Sequence, residues 1–452
     1  MKKIGKLWIW VKAWLRTVKI IHDFHVWYWA NVQSGIANGF CALRARLRYF
    51  MVFNRIKKTF SVRKVRVLFL VHNTSKWKAQ SLYEAMDKSG RYEPIMALDF
   101  FEKELEKRVS ASEKLDADRM FFEKLGNQCV DAYDGKRHGA IDLSTFKPDI
   151  VFYQEPWWIH PRHSVLKVSR CALCCYMPYS VEYMVDKAEG CGGAQRVHFQ
   201  PFFQQLMFIN FSWSQQQAEY FLSKSKWWQR AGLVLGLGHT IMDQYKFKKN
   251  IDEHDYVIYA PHYSVSTVTR SPMMRMATFE ETGKAILAYA KAHPEYNWVF
   301  KPHPGMRRWF MESGYMTGEE IDEYYSEWES VGRVCTDGDY PKLFNSSRML
   351  ISDSGSFLLE YVATGMPIVR PVPADLNVLP SPAAQDIIGA LYETHGVDEL
   401  MGTLKRVLEH GDDYKKDQRV STARAAGLIG QHAARDIVKY FDALFDKNER
   451  EA

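Results

Sequence analysis

The chain has no clean apolar run of roughly 18 residues, the length at which a membrane-spanning helix is expected. Its uncharged run from Phe24 to Leu43 is interrupted by Asn31, Gln33, Ser34, Gly35 and Asn38. A signal peptide is not expected either, because charges break the apolar region and no small-residue cleavage site follows. Acid is nearly missing from the start: residues 1–66 hold 15 Lys/Arg and one acid, Asp23, whereas the remainder holds 45 basic and 52 acidic residues. The positive excess of the chain therefore lies in one segment. Cysteine is sparse, with seven residues (41, 129, 171, 174, 175, 191 and 335) that form no even framework. "CALCC" has a metal-like spacing but no Cys or His knuckle to pair with. Buried thiols are expected rather than disulfides or a metal site.

The basic segment opens "MKKIGKLWIWVKAWLRTVKIIHDFHVWYWA". Lys12, Arg16, Lys19 and Asp23 fall at steps of four, three and four, which lines them along one helical face. Trp8, Trp10, Trp14, Trp27 and Trp29 add amphipathic rings. This is the pattern of a helix lying in a membrane interface, drawn to anionic lipid. "LRARLRYFMVFNRIKK" repeats it with Arg44, Arg48, Arg55 and Lys58. The alternative is a helical hairpin packed on the body with a solvated charged face. Nucleic acid is not an expected partner, because the aromatics cluster with the apolar face.

From Val65 onward, short apolar runs alternate with longer amphipathic ones. "VRVLFLVH", "YEPIMALDF", "PDIVFYQEP", "ALCCYMPY" and "QLMFINFSW" read as strands; so do "DYVIYAPH", "YNWVFKPHP", "GRVCTD", "RMLISDS" and "MPIVRPV". Strands without alternation, separated by helical stretches, predict parallel sheets covered on both faces. Helices are expected near 76–88, 276–293, 356–364 and 395–410, with one long helix over 415–447. The expected organisation is α/β, with two Rossmann-like domains facing a cleft behind an N-terminal basic amphipathic helical segment. The boundaries read 1–62 for that segment, 63–250 for an acceptor domain, 251–430 for a donor domain and 431–452 for a C-terminal helix.

In open α/β sheets, ligands bind beyond the carboxyl ends of the strands. That rule selects "APHYS", "KPHPGMRR" and "SDSGSFLLE". Lys301, His303, Arg307 and Arg308 follow one strand, stiffened by Pro302 and Pro304. Ser354, Gly355 and Ser356 open a helix, where free N–H groups and the helix dipole attract phosphate. Glu360, one turn further on, is an acceptor for ribose or polyol hydroxyls. The bland alternative is a capped helix with Glu360 on a solvated face. "GLGHTIMD" is a weaker candidate for a phosphate turn. In "TDGD", Asp339 reads as the cap of the helix "DYPKLF" rather than as a metal ligand.

These residues resemble the CDP-glycerol glycerophosphotransferase family of teichoic-acid and capsule polymerases, whose fold is GT-B-like. The matching elements are "YAPH", Lys301-Pro302-His303-Pro304, Ser352-Asp353-Ser354-Gly355-Ser356, Glu360, Met366-Pro367-Ile368 and "GLGHTIMD". The resemblance implies that Lys301, His303, Arg307, Ser354, Gly355 and Ser356 hold the diphosphate of a CDP-alcohol and that Glu360 binds its hydroxyls. It implies transfer of a glycerol-phosphate or similar unit to a hydroxyl of a lipid-linked glycan or cell-surface polymer, releasing CMP. The place implied is the cytoplasmic face of a bacterial inner membrane, held peripherally through residues 1–60. No metal and no cofactor is expected beyond the donor. Where that family carries a His-Gly pair, this chain has Pro178-Tyr179-Ser180, which leaves the general base open among His303, Glu155, His262, Glu182, His160, His163 and His72. "SDSGS…E" is also similar to the Asp-Ser-Gly-Gly turn of UDP-GlcNAc 2-epimerases and glycosyltransferases. A UDP-sugar transferase, and a catalytically silent donor-binding scaffold, are therefore the alternative readings.

Overall fold

A computed structural model describes residues 34–100, 110–157, 159–186, 201–224, 233–248, 255–265, 275–336 and 340–446. The expected helical face of Lys12, Arg16 and Lys19, and Asp339 as a cap, lie outside the described residues. The helix Pro341–Asn345 has Tyr340 at its cap position instead.

Strands β1 (Val65–Val71), β2 (Tyr92–Leu98), β3 (Cys129–Asp131), β4 (Ile150–Tyr153), β5 (Leu173–Tyr176), β6 (Ile209–Phe211) and β7 (Leu233–Leu235) form one sheet in the order β7-β6-β5-β4-β1-β2-β3. Strands β8 (Tyr256–Tyr259), β9 (Trp298–Phe300), β10 (Arg333–Val334), β11 (Ser347–Ile351), β12 (Ile368–Pro371) and β13 (Tyr392–Thr394) form a second, in the order β10-β9-β8-β11-β12-β13. Every pairing in both sheets is parallel. Both follow the doubly wound order 3-2-1-4-5-6, which places a crevice beside β1 and β4 in one sheet and beside β8 and β11 in the other. The near-absence of polar alternation in these strands has its cause here: β4, β5, β9 and β12 are buried throughout. Cys174 and Cys175 are core residues of β5, and burial raises the thiol pKa of Cys174 to about 12.

Helix α1 (Ser34–Thr59) is docked on the first sheet. Ala42, Ala45, Tyr49, Val52 and Ile56 recur at steps of three and four and are all buried in its core. Full burial of a side chain such as Val52 or Ile56 contributes about 1.5–3 kcal/mol. Tyr49 Oη donates to Leu206 O (2.7 Å), and Arg48 donates to Leu166 O (2.6 Å). The buried Asp149 carboxylate, at the entry to β4, accepts from Arg55 (3.1 Å) and Arg63 (2.6 and 2.8 Å). Two of the four basic residues expected on a membrane-facing side, Arg48 and Arg55, thus fasten the helix to the body.

The halves are tied at several points. The short strand Met184–Asp186 pairs antiparallel with Val378–Pro380. "GLGHTIMD" is a joint: Thr240 Oγ1 donates to Lys78 O (2.8 Å), and Asp243 accepts from the amides of Ala433 and Ala434 (2.8 Å each). The chain then returns to the first half. The long helix expected over 415–447 is two helices, Lys416–Ala425 and Ala433–Phe445, separated at Gly427 (φ +73°) and Gly430 (φ +76°). That left-handed conformation favours glycine and ends a helix. Ala434, Ile437, Val438, Phe441 and Phe445 complete the core of the first sheet.

Candidate active site

On the second half, β11 runs into the turn Ser352–Ser354 and the helix α2 (Gly355–Val362). Ser352 Oγ donates to Ala260 O (2.6 Å) and accepts from Ser354 N (3.1 Å). Asp353 accepts from His262 N (2.6 Å) and from the amide and hydroxyl of Thr278 (2.6 and 2.8 Å). Burial raises its pKa to about 6, against these hydrogen bonds, which pull it down. Part of the polar excess in this turn therefore knits β11 to β8. Ser354 occupies the cap position without a capping bond from its side chain. A Cβ on Gly355 would lie 2.6 Å from the Met184 methyl, so the close approach this glycine permits is that of a methionine from the inter-half ribbon. Ser356 follows on the first turn of α2 and is half-buried.

Glu360 is fully buried, which excludes a solvated face. Its Oε2 accepts from Tyr245 Oη (2.7 Å) and Tyr340 Oη (2.6 Å); its Oε1 has no hydrogen-bond partner among the described residues. Burial raises the carboxyl pKa, while Lys78 and the two tyrosines oppose the rise. A buried carboxylate oxygen without a donor is an open acceptor position.

Lys301 and His303 follow β9. His303 Nδ1 accepts from Gly305 N (3.0 Å), and burial, then Lys301 and Lys76, lower its pKa to about 4. His262 Nδ1 faces Ser264 Oγ (2.8 Å) and accepts from Ser264 N (3.3 Å); burial, then His303, lowers its pKa to about 3. The Tyr263 ring lies between the two, 4.4 Å from each ring centre. Arg307 is turned to the exposed Asp322 on the helix Gly318–Val331, away from this group. Arg308 lies by Trp309.

The first half contributes residues from the ends of β1, β2 and β4. Asp99 Oδ2 lies 2.7 Å from His163 Nδ1 and 3.2 Å from His72 Nε2. Burial works to raise its pKa, but the hydrogen bonds from His163 and His72 outweigh burial and hold it below the ordinary carboxylate range. His72 Nδ1 is 3.6 Å from Glu155 Oε1, and Glu155 Oε2 accepts from Lys76 Nζ (2.9 Å). Glu182 Oε1 accepts from Tyr176 Oη (2.9 Å), a buried bond within the fold. His160 caps the short turn Pro161–His163.

Two residues outside the sequence-derived candidates complete the arrangement. Lys78 Nζ lies 4.2 Å from the centre of the Tyr340 ring, and Lys301 Nζ lies 5.4 Å from the same centre. Lys76, on the same loop, adds to the field that depresses His303 across the cleft. Their signal was present in the sequence: "HNTSKWK" directly follows β1, where the strand-end rule points. Among the described residues, no group of three His, Cys, Asp or Glu is placed to hold a metal ion. The cleft thus gathers Lys76, Lys78, Lys301 and two neutral histidines, with Glu155 on one wall and Glu360 on the other.

No family model and no curated protein matches the chain. Solved structures do. A co-structure of MnaA with UDP from S. aureus aligns with a TM-score of 0.53 at 13% identity, over 86% of this chain and 98% of that one. The UDP-GlcNAc 2-epimerase of Neisseria meningitidis bound to UDP-GlcNAc aligns at 0.52 and 14% identity, over 84% and 99%. The wall teichoic acid polymerase TagF aligns at 0.49 and 12% identity, over 91% and 98%. The first two likenesses establish the fold: two Rossmann-like domains in the GT-B arrangement.

Proposed function

We propose that this protein is a transferase that takes a nucleoside-diphosphate-linked donor in the cleft and passes a phosphate-linked unit to an acceptor hydroxyl. The observation that carries the reading is the meeting of Lys78 and Lys301, from opposite halves, around Tyr340, beside the open Oε1 of Glu360. Two phosphates call for such cations, and a ribose or polyol hydroxyl calls for such an acceptor. The donor proposed is CDP-glycerol or a similar CDP-alcohol, on the Lys-Pro-His-Pro and Ser-Asp-Ser-Gly-Ser…Glu pattern. The acceptor proposed is a lipid-linked glycan or cell-surface polymer.

In this mechanism the acceptor oxygen attacks the β-phosphorus, forming a new P–O bond. The bond from that phosphorus to the bridging oxygen breaks, and CMP leaves with the electron pair. Lys76, Lys78 and Lys301 neutralise the charge that grows on the leaving phosphate. His262 and His303 each accept a backbone N–H at Nδ1, which puts the ring proton of the neutral form on Nε2. Both therefore act as hydrogen-bond donors to phosphate oxygens rather than as bases. The acceptor proton goes to Glu155, the carboxylate at the end of β4, which Lys76 and His72 hold in place.

A UDP-sugar transferase is the second reading, favoured by the UDP and UDP-GlcNAc held in the two similar structures. Incubation with CDP-glycerol and with UDP-sugars, in the presence of a membrane extract, tests both. Released CMP supports the first reading and released UDP the second. Donor binding without turnover supports a silent scaffold.

A further inference from the structure

Helix α1 has a second face. At roughly 100° per residue, Phe40, Leu43, Leu47, Phe50 and Met51 lie on the side opposite Ala42, Ala45, Tyr49, Val52 and Ile56. The first five are bare, with 70, 55, 61, 67 and 64% of their surface exposed. A contiguous patch of large apolar side chains on a well-docked helix marks an interaction surface. It is bordered on one side by Arg44 and Arg55 and on the other by Arg46 and Lys57; Lys58 falls within it near the C-terminal end.

We propose that this face of α1 docks on the surface of an anionic lipid bilayer, with the aromatic and aliphatic side chains among the acyl chains and Arg44 and Arg46 at the headgroups. The charge selects the occupant. A second copy of this chain would bring an equally basic segment against the first, since residues 1–66 hold 15 Lys/Arg and one acid. Residues 1–33 hold six Lys/Arg and one acid, so laying them on this face would place like charge over Arg44 and Arg46. A nucleic acid would use the arginines but leave five large apolar side chains in water. An anionic bilayer satisfies both sets of groups. Because the helix is locked to the first half through its buried face, through Tyr49 and Arg48, and through Arg55 at its edge on Asp149, docking would orient that half and not merely tether it. The inference gives the lipid-linked acceptor proposed above a place to be met, but it is read without turnover.

The test is flotation of the full chain with vesicles of phosphatidylcholine alone or with phosphatidylglycerol, beside the double variant Leu47→Glu/Phe50→Glu. Both positions are more than half exposed, and circular dichroism checks that the variant is folded. The expected result is binding to phosphatidylglycerol vesicles that weakens at high salt and falls at least about tenfold in the variant. Equal binding by wild type and variant overturns the proposal. So does a concentration-dependent dimer that the variant abolishes without any vesicle binding, or retention by RNA but not by vesicles. Donor binding, measured on the same samples, separates failure of the membrane face from failure of the transferase reading.

Discussion

Lys76 Nζ lies 2.9 Å from Glu155 Oε2, and behind this pair His72, Asp99 and His163 continue a buried polar row into the first half. The pair couples the proposed base to a proposed phosphate contact. Its two members differ in which step their loss should strike first.

Glu155→Gln keeps the shape of the side chain and removes its basicity. Turnover should fall by about 10²–10⁴ while donor binding persists, because the base acts only in the chemical step. Lys76→Ala should instead weaken donor binding. Calorimetric titration of the donor, paired with measured turnover, checks the split, and an unchanged rate for Glu155→Gln sinks the assignment.

Tyr340→Phe removes one of the two donors to the buried Oε2 of Glu360. A buried acceptor left short of a donor costs roughly 1–3 kcal/mol, so the melting temperature should drop by several degrees. Glu360→Gln changes what the open oxygen position can accept and should reduce donor affinity. If donor affinity is the same in Glu360→Gln as in the wild type, this acid does not read the donor.

Gly355→Ala places a methyl group against the Met184 side chain, and the expected outcome is weaker donor binding with a lowered melting temperature. Shortening the obstacle in the double variant Gly355→Ala/Met184→Ala should restore thermal stability. A single variant as stable as the wild type would mean that the methionine simply moves aside.

The pH dependence of stability has a defined sign. Burial depresses His239, His262 and His303 to about 4, 3 and 4. Each folded pKa lies below the unfolded one, so as pH falls through about 6.5 the unfolded chain gains the proton first and stability is lost, at up to about 1.4 kcal/mol per pH unit for each ring. Asp353, raised to about 6, works in the other direction: its stability is lost as pH rises from about 4 to 6. Asp243 and Glu360, also raised by burial, act with Asp353 and lessen the fall in melting temperature that the histidines impose from pH 7 to pH 5. In His239→Asn, which lacks one of these rings, the fall should be shallower, so the gap to the wild type narrows in acid. Parallel melting curves for the two proteins would contradict the assignment.

The sheets were legible because parallel strands buried on both faces leave unbroken apolar runs. Strands as short as Leu233–Leu235 and Tyr392–Thr394 leave no such run. Lys301, His303 and Ser354 could be found because their chemistry sits directly at strand ends. Lys76 and Lys78 sat there too, but "SKWKAQSLYEAMDK" reads as helix from its first lysine. In the fold, Asn73 caps a short 3-10 turn at Thr74–Lys76, and the helix begins only at Gln80, which leaves both lysines on the cleft loop. The partners of Glu360 were out of reach for a different reason: Tyr245 is 115 residues away, and only the packed fold brings it close.

The return of Ala433–Phe445 to the first sheet has a consequence for how the molecule comes into being. Ile437, Phe441 and Phe445 are fully buried in a core whose other members begin at Ala42. During synthesis from the N-terminus, that core stays incomplete until Ala433–Phe445 has left the ribosome. The sheet of β8–β13 is contiguous in the chain and has no such wait. The half that is made first therefore finishes last, and its exposed apolar strands are what chaperones would meet in the meantime.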